Sequence, residues 1–117
     1  MYFKHEVGKL GEKIACEYLE SNGYKIIQRN FTTKKGEIDI IARDNEEIVF
    51  IEVKTRSNYK YGKPVEAVNE IKQRHMLNTI KYYLYINKLE NNFIRIDTIE
   101  IFLHKDSCKI NHIKQIF

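Results

Sequence analysis

Hydrophobic positions near the start of the chain repeat at helical spacing. Val7, Gly11, Ile14, Ala15 and Tyr18 recur at three- and four-residue steps with Leu10 and Leu19 beside them, and in "SNGY" Gly23 stands where a helix C-cap belongs. The spacing predicts a first helix. The pattern then changes to strand formers: "YKIIQRNF", the polar turn "TTKKG", and "EIDIIAR" and "EIVFIEVKT" on either side of a tight "DNE" connection. After "SNYKYGKP" breaks this pattern, Met76, Leu77, Ile80, Tyr83 and Leu84 form the apolar stripe of a second helix running to about Ile86. "FIRIDTIEIF" and "CKINHIKQIF", separated by "HKDS", complete the chain as a closing hairpin. The predicted order is αβββαββ, a single layered α/β domain over residues 1–117, with its two helices one on each side of the mixed sheet or both overlapping one face.

Within the second and third predicted strands, Glu37, Asp39, Glu52 and Lys54 interrupt apolar runs. Side chains alternate faces along a strand, so Glu37, Asp39 and Ile41 are expected on one face, as are Ile48, Phe50, Glu52 and Lys54 on theirs. The connection is too short for a parallel crossover, so the strands pair antiparallel and the loop sets the register. A two-residue turn at Asn45 and Glu46, or a four-residue loop, puts Asp39 opposite Glu52, Glu37 opposite Lys54 and Ile41 opposite Phe50. All four ions then share one face. A three-residue loop would send the carboxylates to opposite apolar layers. The other face, Ile38, Ile40 and Ala42 with Val49, Ile51 and Val53, is wholly apolar, so both faces expect a helical cover.

Paired carboxylates in apolar surroundings repel and lose solvation, and therefore need protons or a cation. Lys54 supplies one charge. Mg²⁺, or Mn²⁺ in its place, suits the remainder, because it takes oxygen ligands and is held by one or two carboxylates plus waters and substrate phosphate. Such an ion with a nearby ammonium is phosphodiester chemistry. The competing reading, ordinary cross-strand salt bridges such as Glu37 with Lys54, explains the lysine but not Asp39 facing Glu52.

Composition narrows the setting. The 117 residues are 43% hydrophobic, 12% aromatic and 31% charged, with one Pro and five Gly, which excludes disordered and fibrous classes. Twenty Lys and Arg against sixteen Asp and Glu give a formal charge of +4, a mild tilt toward polyanionic partners. Cys16 and Cys108 lack metal or redox spacing and are expected as free thiols in a reducing compartment. No run has the apolar length of a signal h-region or a membrane span, so the expectation is cytoplasmic, without a membrane. His5, His75, His104 and His112 are scattered and suggest no zinc site.

The residues carry a resemblance. Asp39 followed by Glu52-Val53-Lys54 on the next strand resembles the active-site signature of the PD-(D/E)xK nuclease superfamily, whose restriction endonuclease-like core is αβββαβ. "GEKIACEYLESNGYKIIQRNF", "GEIDIIARD", "IVFIEVKTR", "KQRHMLNTIKYYL" and "IRIDTIEI" together resemble the YraN-like family of small bacterial proteins, itself similar to Holliday-junction resolvases. The proline that names the superfamily motif is absent, with Ile38 preceding Asp39. The resemblance implies that Asp39 and Glu52 bind the metal, that the Val53 carbonyl is a further ligand, that Lys54 is the catalytic lysine and that Glu12 is a helix glutamate brought to the metal.

Other residues are read from position. Gln73 lies on the extended stripe of the second helix and either orients Lys54 or the attacking water, or is the polar end of that stripe. Glu37 either holds Lys54 or meets a metal through water. Lys72 is placed to meet a phosphate or solvent. "KTRSNYKYGK" interleaves Arg56, Lys60 and Lys63 with Tyr59 and Tyr61, a composition that can neutralise phosphates and stack bases or form a solvated loop. Arg29, Lys34 and Lys35 could extend that basic surface. The expectation is a Mg²⁺-dependent nuclease acting on branched or single-stranded nucleic acid, DNA favoured, with dimerisation needed by a resolvase. The alternatives are a binding module that keeps the fold without cutting, and an interaction domain whose charges are salt bridges.

Overall fold

The computed structural model describes residues 4–56 and 70–115. Helix α1 (Lys4–Ser21) leads into strands β1 (Lys25–Thr33), β2 (Gly36–Asp44) and β3 (Glu47–Arg56), followed by α2 (Glu70–Ile86), β4 (Phe93–Leu103) and β5 (Cys108–Ile113). The expected order is the observed one. The strands form one sheet in the order β1-β2-β3-β4-β5. All neighbours are antiparallel except β3 and β4, which run parallel, so the chain must cross over between them and α2 belongs to that crossover.

Both helices end as their sequences dictate. Gly23 adopts φ 86, Gly23 N donates to Glu20 O and Tyr24 N to Leu19 O, the paired bonds of a Schellman motif, with Tyr24 and Leu19 in hydrophobic contact. Lys88 plays the glycine's role after α2 at φ 56, with Leu89 N donating to Leu84 O at 2.8 Å.

The helices cover opposite faces of the sheet. Ala15, Cys16 and Leu19 of α1 pack on Ile40, Ala42, Val49, Ile51, Ile99 and Ile101. Met76, Ile80, Tyr83 and Leu84 of α2 pack on Ile38, Ile41, Ile48, Phe50 and Ile96. Ile38 therefore departs from the expected alternation, since it packs with Ile41 beneath α2 and not with Ile40 and Ala42. The irregularity is matched in the paired strand, where Asn30 of β1 takes a left-handed conformation (φ 53) and Phe31, the register partner of Ile38, also packs beneath α2.

A buried ionic network, absent from the sequence reading, ties the far end of the sheet. Arg95 donates to Asp97, to Asp44 and Glu47 across the β2–β3 hairpin, and to the Tyr24 hydroxyl at 2.7 Å. His112 bridges Asp97 and Tyr18 at 2.8 and 2.9 Å. Burial alone would raise the Asp97 pKa, but hydrogen bonds from His112 and Arg95 outweigh it and hold the carboxyl below its ordinary range.

Helix α1 lies unusually close to β3 at Gly11, where an added Cβ would overlap Thr55 Oγ1 and come within 2.8 Å of Thr55 Cβ and Cγ2, whereas a Cβ at Gly8 meets nothing within 4 Å. Gly11→Ala is therefore expected to lower stability by about 1 to 3 kcal/mol through overpacking, while Gly8→Ala raises it by about 0.5 to 1 kcal/mol through helix propensity. Urea unfolding of the two variants checks this, and equal midpoints would contradict the close approach.

A candidate active site in the fork between two strands

The β2–β3 hairpin has the register of the two-residue turn, Asp44 opposite Glu47 and Ile41 opposite Phe50, with Asn45 at φ 56. That expectation holds up to Ile40 opposite Ile51, where the described ladder ends. Beyond it β2 stays with β1 through Gly36, while β3 stays with β4 through Arg56. The strands part, so Asp39 with Glu52 and Glu37 with Lys54 are not ladder pairs as expected. The Val53 N–H, which would continue the ladder, donates instead to Asp39 Oδ2 at 2.8 Å. The Asp39 carboxylate thus lies in the opening of a fork.

Five elements bring polar groups to this fork. Glu52 shares the α2-facing side of β3 with Phe50, and its Oε1 accepts an ion pair from Lys72 Nζ of α2 at 2.8 Å. Its Oε2 is buried and has no hydrogen-bond partner. From α1, Glu12 approaches the α1 side: with the Asn30 amide oriented so that its nitrogen faces the two carboxylates, the assignment its neighbours require, Asn30 donates to Glu12 Oε1 at 3.0 Å and Glu37 Oε1 at 3.2 Å. Glu37 is therefore linked to Glu12 through Asn30 while it lines the same cleft as Asp39 and Glu52. A cleft of about 210 Å³ opens over Glu37, Asp39 and Glu52, bordered by Lys35 and Gly36 of the β1–β2 connection and by Lys72, His75 and Met76 of α2.

Burial pushes the Asp39 pKa up to about 7; the Val53 N–H opposes the rise, and Glu12, Glu37 and Glu52 add to it by repulsion. A carboxyl poised there can hold a proton or yield it to a cation near neutral pH.

The remaining candidates are distributed as follows. Lys54 is half-buried two residues beyond Glu52, in register with Glu100 of β4, which is fully buried with Oε1 held by Asn111 and Oε2 unpartnered. Val53 turns its N–H toward β2, and in an extended strand its carbonyl points the same way, into the fork. Gln73 is half-buried near the start of α2 but does not line the cleft. Arg56 ends β3, half-buried. Lys72 is bound to Glu52 rather than standing apart as a surface cation, so its role is local to the carboxylates. Tyr59, Lys60, Tyr61 and Lys63 lie outside the described residues. The sequence reading missed Asn30 as a carboxylate bridge; its signal was an Asn inside a run of strand formers.

Among the described residues no group of three or more His, Cys, Asp and Glu side chains is arranged to hold a metal ion. The donors at the fork are oxygens: Asp39, the unpartnered Glu52 Oε2 and the Val53 carbonyl. Such a set fits a hard divalent cation that keeps waters, as Mg²⁺ does, and not a tetrahedral zinc. Among the described residues no helix is long and apolar enough to cross a membrane.

An αβββαβ core with a parallel β3–β4 pair, extended by β5, and acidic residues where β2 and β3 diverge define a restriction endonuclease-like α/β domain. The chain belongs to the family described as "Uncharacterised protein family UPF0102", whose model matches residues 11–101. A UPF0102 protein of Clostridium perfringens (strain 13 / Type A) is 46% identical over 98% of this chain and 96% of its own length. Another from Caldicellulosiruptor saccharolyticus is 42% identical over 97% and 98%. Two solved structures are similar at lower identity. One, named SSO0001, gives a TM-score of 0.42 at 18% identity, covering 95% of this chain and 52% of that one. The other, Pyrococcus furiosus SfsA in complex with Ca²⁺, gives 0.42 at 16%, covering 92% and 62%. The chain thus spans only about half to three fifths of those two molecules.

The elevated Asp39 pKa fixes the sign of a pH effect. Between the ordinary carboxylate value of 3.8 and about 7 the folded state binds more protons than the unfolded, so this group's contribution to stability declines as pH rises through that window. Across that window the loss is about 1.4 kcal/mol per pH unit at most. Asp39→Asn removes the charge, so its melting temperature is expected to exceed that of the native protein by several degrees at pH 8 and to converge with it at pH 4.5. Melting curves across this range check it; a constant offset would contradict the elevated pKa.

Proposed function

We propose that this protein is a metal-dependent nuclease that hydrolyses phosphodiester bonds of nucleic acid, with branched or single-stranded DNA as the favoured substrate. The observation that carries the reading is the fork itself: Asp39, with a pKa near 7 among like charges, beside a buried Glu52 oxygen with no partner, both open to one cleft. Carboxylates crowded by like charges and only partly compensated by their neighbours are costly, and a function that requires them explains their retention.

Asp39, Glu52 and the Val53 carbonyl would hold Mg²⁺ or Mn²⁺. When bound, such an ion polarises the phosphodiester and lowers the pKa of an attacking water. The protein's own groups do the rest. The Lys54 ammonium stabilises the charge that grows on the phosphoryl oxygens. Glu12, bridged through Asn30 to Glu37, adds negative potential that favours cation capture at Asp39. Lys72 exchanges Glu52 for a substrate phosphate as the strand enters, and Gln73 orients water or Lys54 from α2. Arg56, with Tyr59, Lys60, Tyr61 and Lys63 of the following segment, binds the strand beyond the cut. Cutting both strands of a branched DNA requires two such sites and hence a homodimer.

A second reading has one observation in its favour, the Glu52–Lys72 ion pair at 2.8 Å, which already neutralises one carboxylate. It is a nucleic-acid-binding module that keeps the fold without cutting. Labelled single-stranded, duplex, flap and four-way-junction DNA, together with RNA, separate the two. Cleavage in Mg²⁺ or Mn²⁺ is expected, abolished by chelator and lowered by about 100-fold or more in Asp39→Ala and Lys54→Ala. Retarded but uncut substrates with folded native protein would instead establish the binding module.

A further inference from the structure

A second cavity adjoins the carboxylate cleft on the α2 side of the sheet. It measures about 480 Å³ and is lined by Thr32, Thr33, Lys34 and Lys35 from the β1–β2 connection and by Asn78 and Tyr82 from α2. Lys35 borders both spaces, which places them side by side on this face. The volume falls in the range of small-molecule and cofactor sites.

Its walls are fixed before any ligand arrives. Thr33 Oγ1 accepts hydrogen bonds from Lys35 N and Gly36 N and donates to Gly36 O, which locks the turn that carries both lysines. Tyr82 is half exposed, outside the apolar stripe of Met76, Ile80, Tyr83 and Leu84 that α2 buries against the sheet. The ring does not float: it lies nearly parallel to Phe31, at 27° and a centroid distance of 6.3 Å, and Phe31 is in turn held edge-on by Tyr83 at 5.2 Å. One face of Tyr82 is therefore braced from below, and a preorganised aromatic surface loses little entropy when a second ring stacks on it.

We propose that this cavity is a binding site for an unpaired nucleotide of a single nucleic-acid strand, with Tyr82 stacking the base and Lys34 and Lys35 neutralising the flanking phosphates on the way to the carboxylate cleft. The site deepens the nuclease reading and rests on it for the direction of the strand. Charge and shape select this occupant: two exposed lysines and a free ring face suit a polyanion with exposed bases. A base inside a duplex has both faces covered by its neighbours and cannot use Tyr82 unless it leaves the stack. The Asn78 amide, with a donor and an acceptor, faces the same space and can meet a base edge. Unpaired strands, and the unpaired regions of flaps and junctions, are thereby preferred over continuous duplex.

The test is fluorescence anisotropy with labelled oligo-dT, oligo-rU and a matched duplex, in chelator so that nothing is cut. Tyr82→Ala is expected to weaken single-strand binding by about tenfold or more while leaving duplex binding within about twofold. Tyr82→Phe, which keeps the ring, should bind like the native protein. The double variant Lys34→Ala, Lys35→Ala should reduce the log–log salt slope by about 1.4, two phosphates at about 0.7 each. Circular dichroism establishes folding of each variant, and photocrosslinking of 5-iodouracil-substituted oligonucleotide to the native protein gives a readout free of substitution, with Tyr82 as the expected adduct. Unchanged single-strand affinity in folded Tyr82→Ala, or adducts confined elsewhere, overturns the site while leaving metal-dependent cutting intact. A ring-dependent preference for single strands without any cleavage in Mg²⁺ upholds the site and removes the nuclease. Native protein that binds no nucleic acid overturns both.

Discussion

Everything at the proposed site follows from one backbone hydrogen bond that goes to a side chain. Where β2 and β3 separate, the Val53 N–H loses its ladder partner, and a buried amide without a partner is costly. Asp39 satisfies it. That places a carboxylate inside the sheet's edge-to-edge plane, between two layers of aliphatic side chains, where water cannot solvate it fully. The acid is thus both a structural plug and a charge in the wrong surroundings, and the same burial that raises its pKa makes it receptive to a cation. A longer antiparallel pairing would have removed the opening; an earlier separation would have cost the Ile40–Ile51 and Ala42–Val49 pairs that anchor the core.

Topology supplies the other walls. Because β3 and β4 are parallel, the chain leaves β3 at the fork end and must return over the sheet, which brings α2, with Lys72 and His75, above the carboxylates. Helix α1 approaches from the opposite face and contributes Glu12. The far end of the sheet is closed by Arg95, Asp97 and His112, where every charge has a partner. The contrast is informative: the molecule satisfies its buried ions completely at one end and leaves carboxylate oxygens in want of a partner at the other.

Much of this was legible in the sequence, because periodicity and short-loop geometry are local. Gly23, the Met76-to-Leu84 stripe and the Asn45–Glu46 turn each had one good structural solution, and they determined element order, helix ends and the hairpin register. The site was legible in its residue types, Asp39, Glu52 and Lys54, but not in its layout. Strict alternation assigned Ile38 to the wrong side, since it assumes a regular strand and could not register the left-handed Asn30 in the neighbouring strand. The Glu52–Lys72 pair and the Arg95 network were hidden for a different reason: they join residues distant in sequence through the crossover and hairpin, and no spacing rule reports such contacts. The bracing of Tyr82 by Phe31 was hidden for the same reason.

The close seat of α1 on β3 has a mechanical consequence. With no side chain at Gly11, the helix rests directly against Thr55, and that contact acts as a depth stop and an axial index at once. Glu12 is the next residue along the helix, and Thr55 is the next along the strand after Lys54. One missing methyl group therefore sets the spacing between two catalytic candidates carried by different elements. Sequence drift at positions 11 and 55 would be constrained jointly, as the two halves of a joint must be machined to each other, even though neither residue takes part in any chemistry.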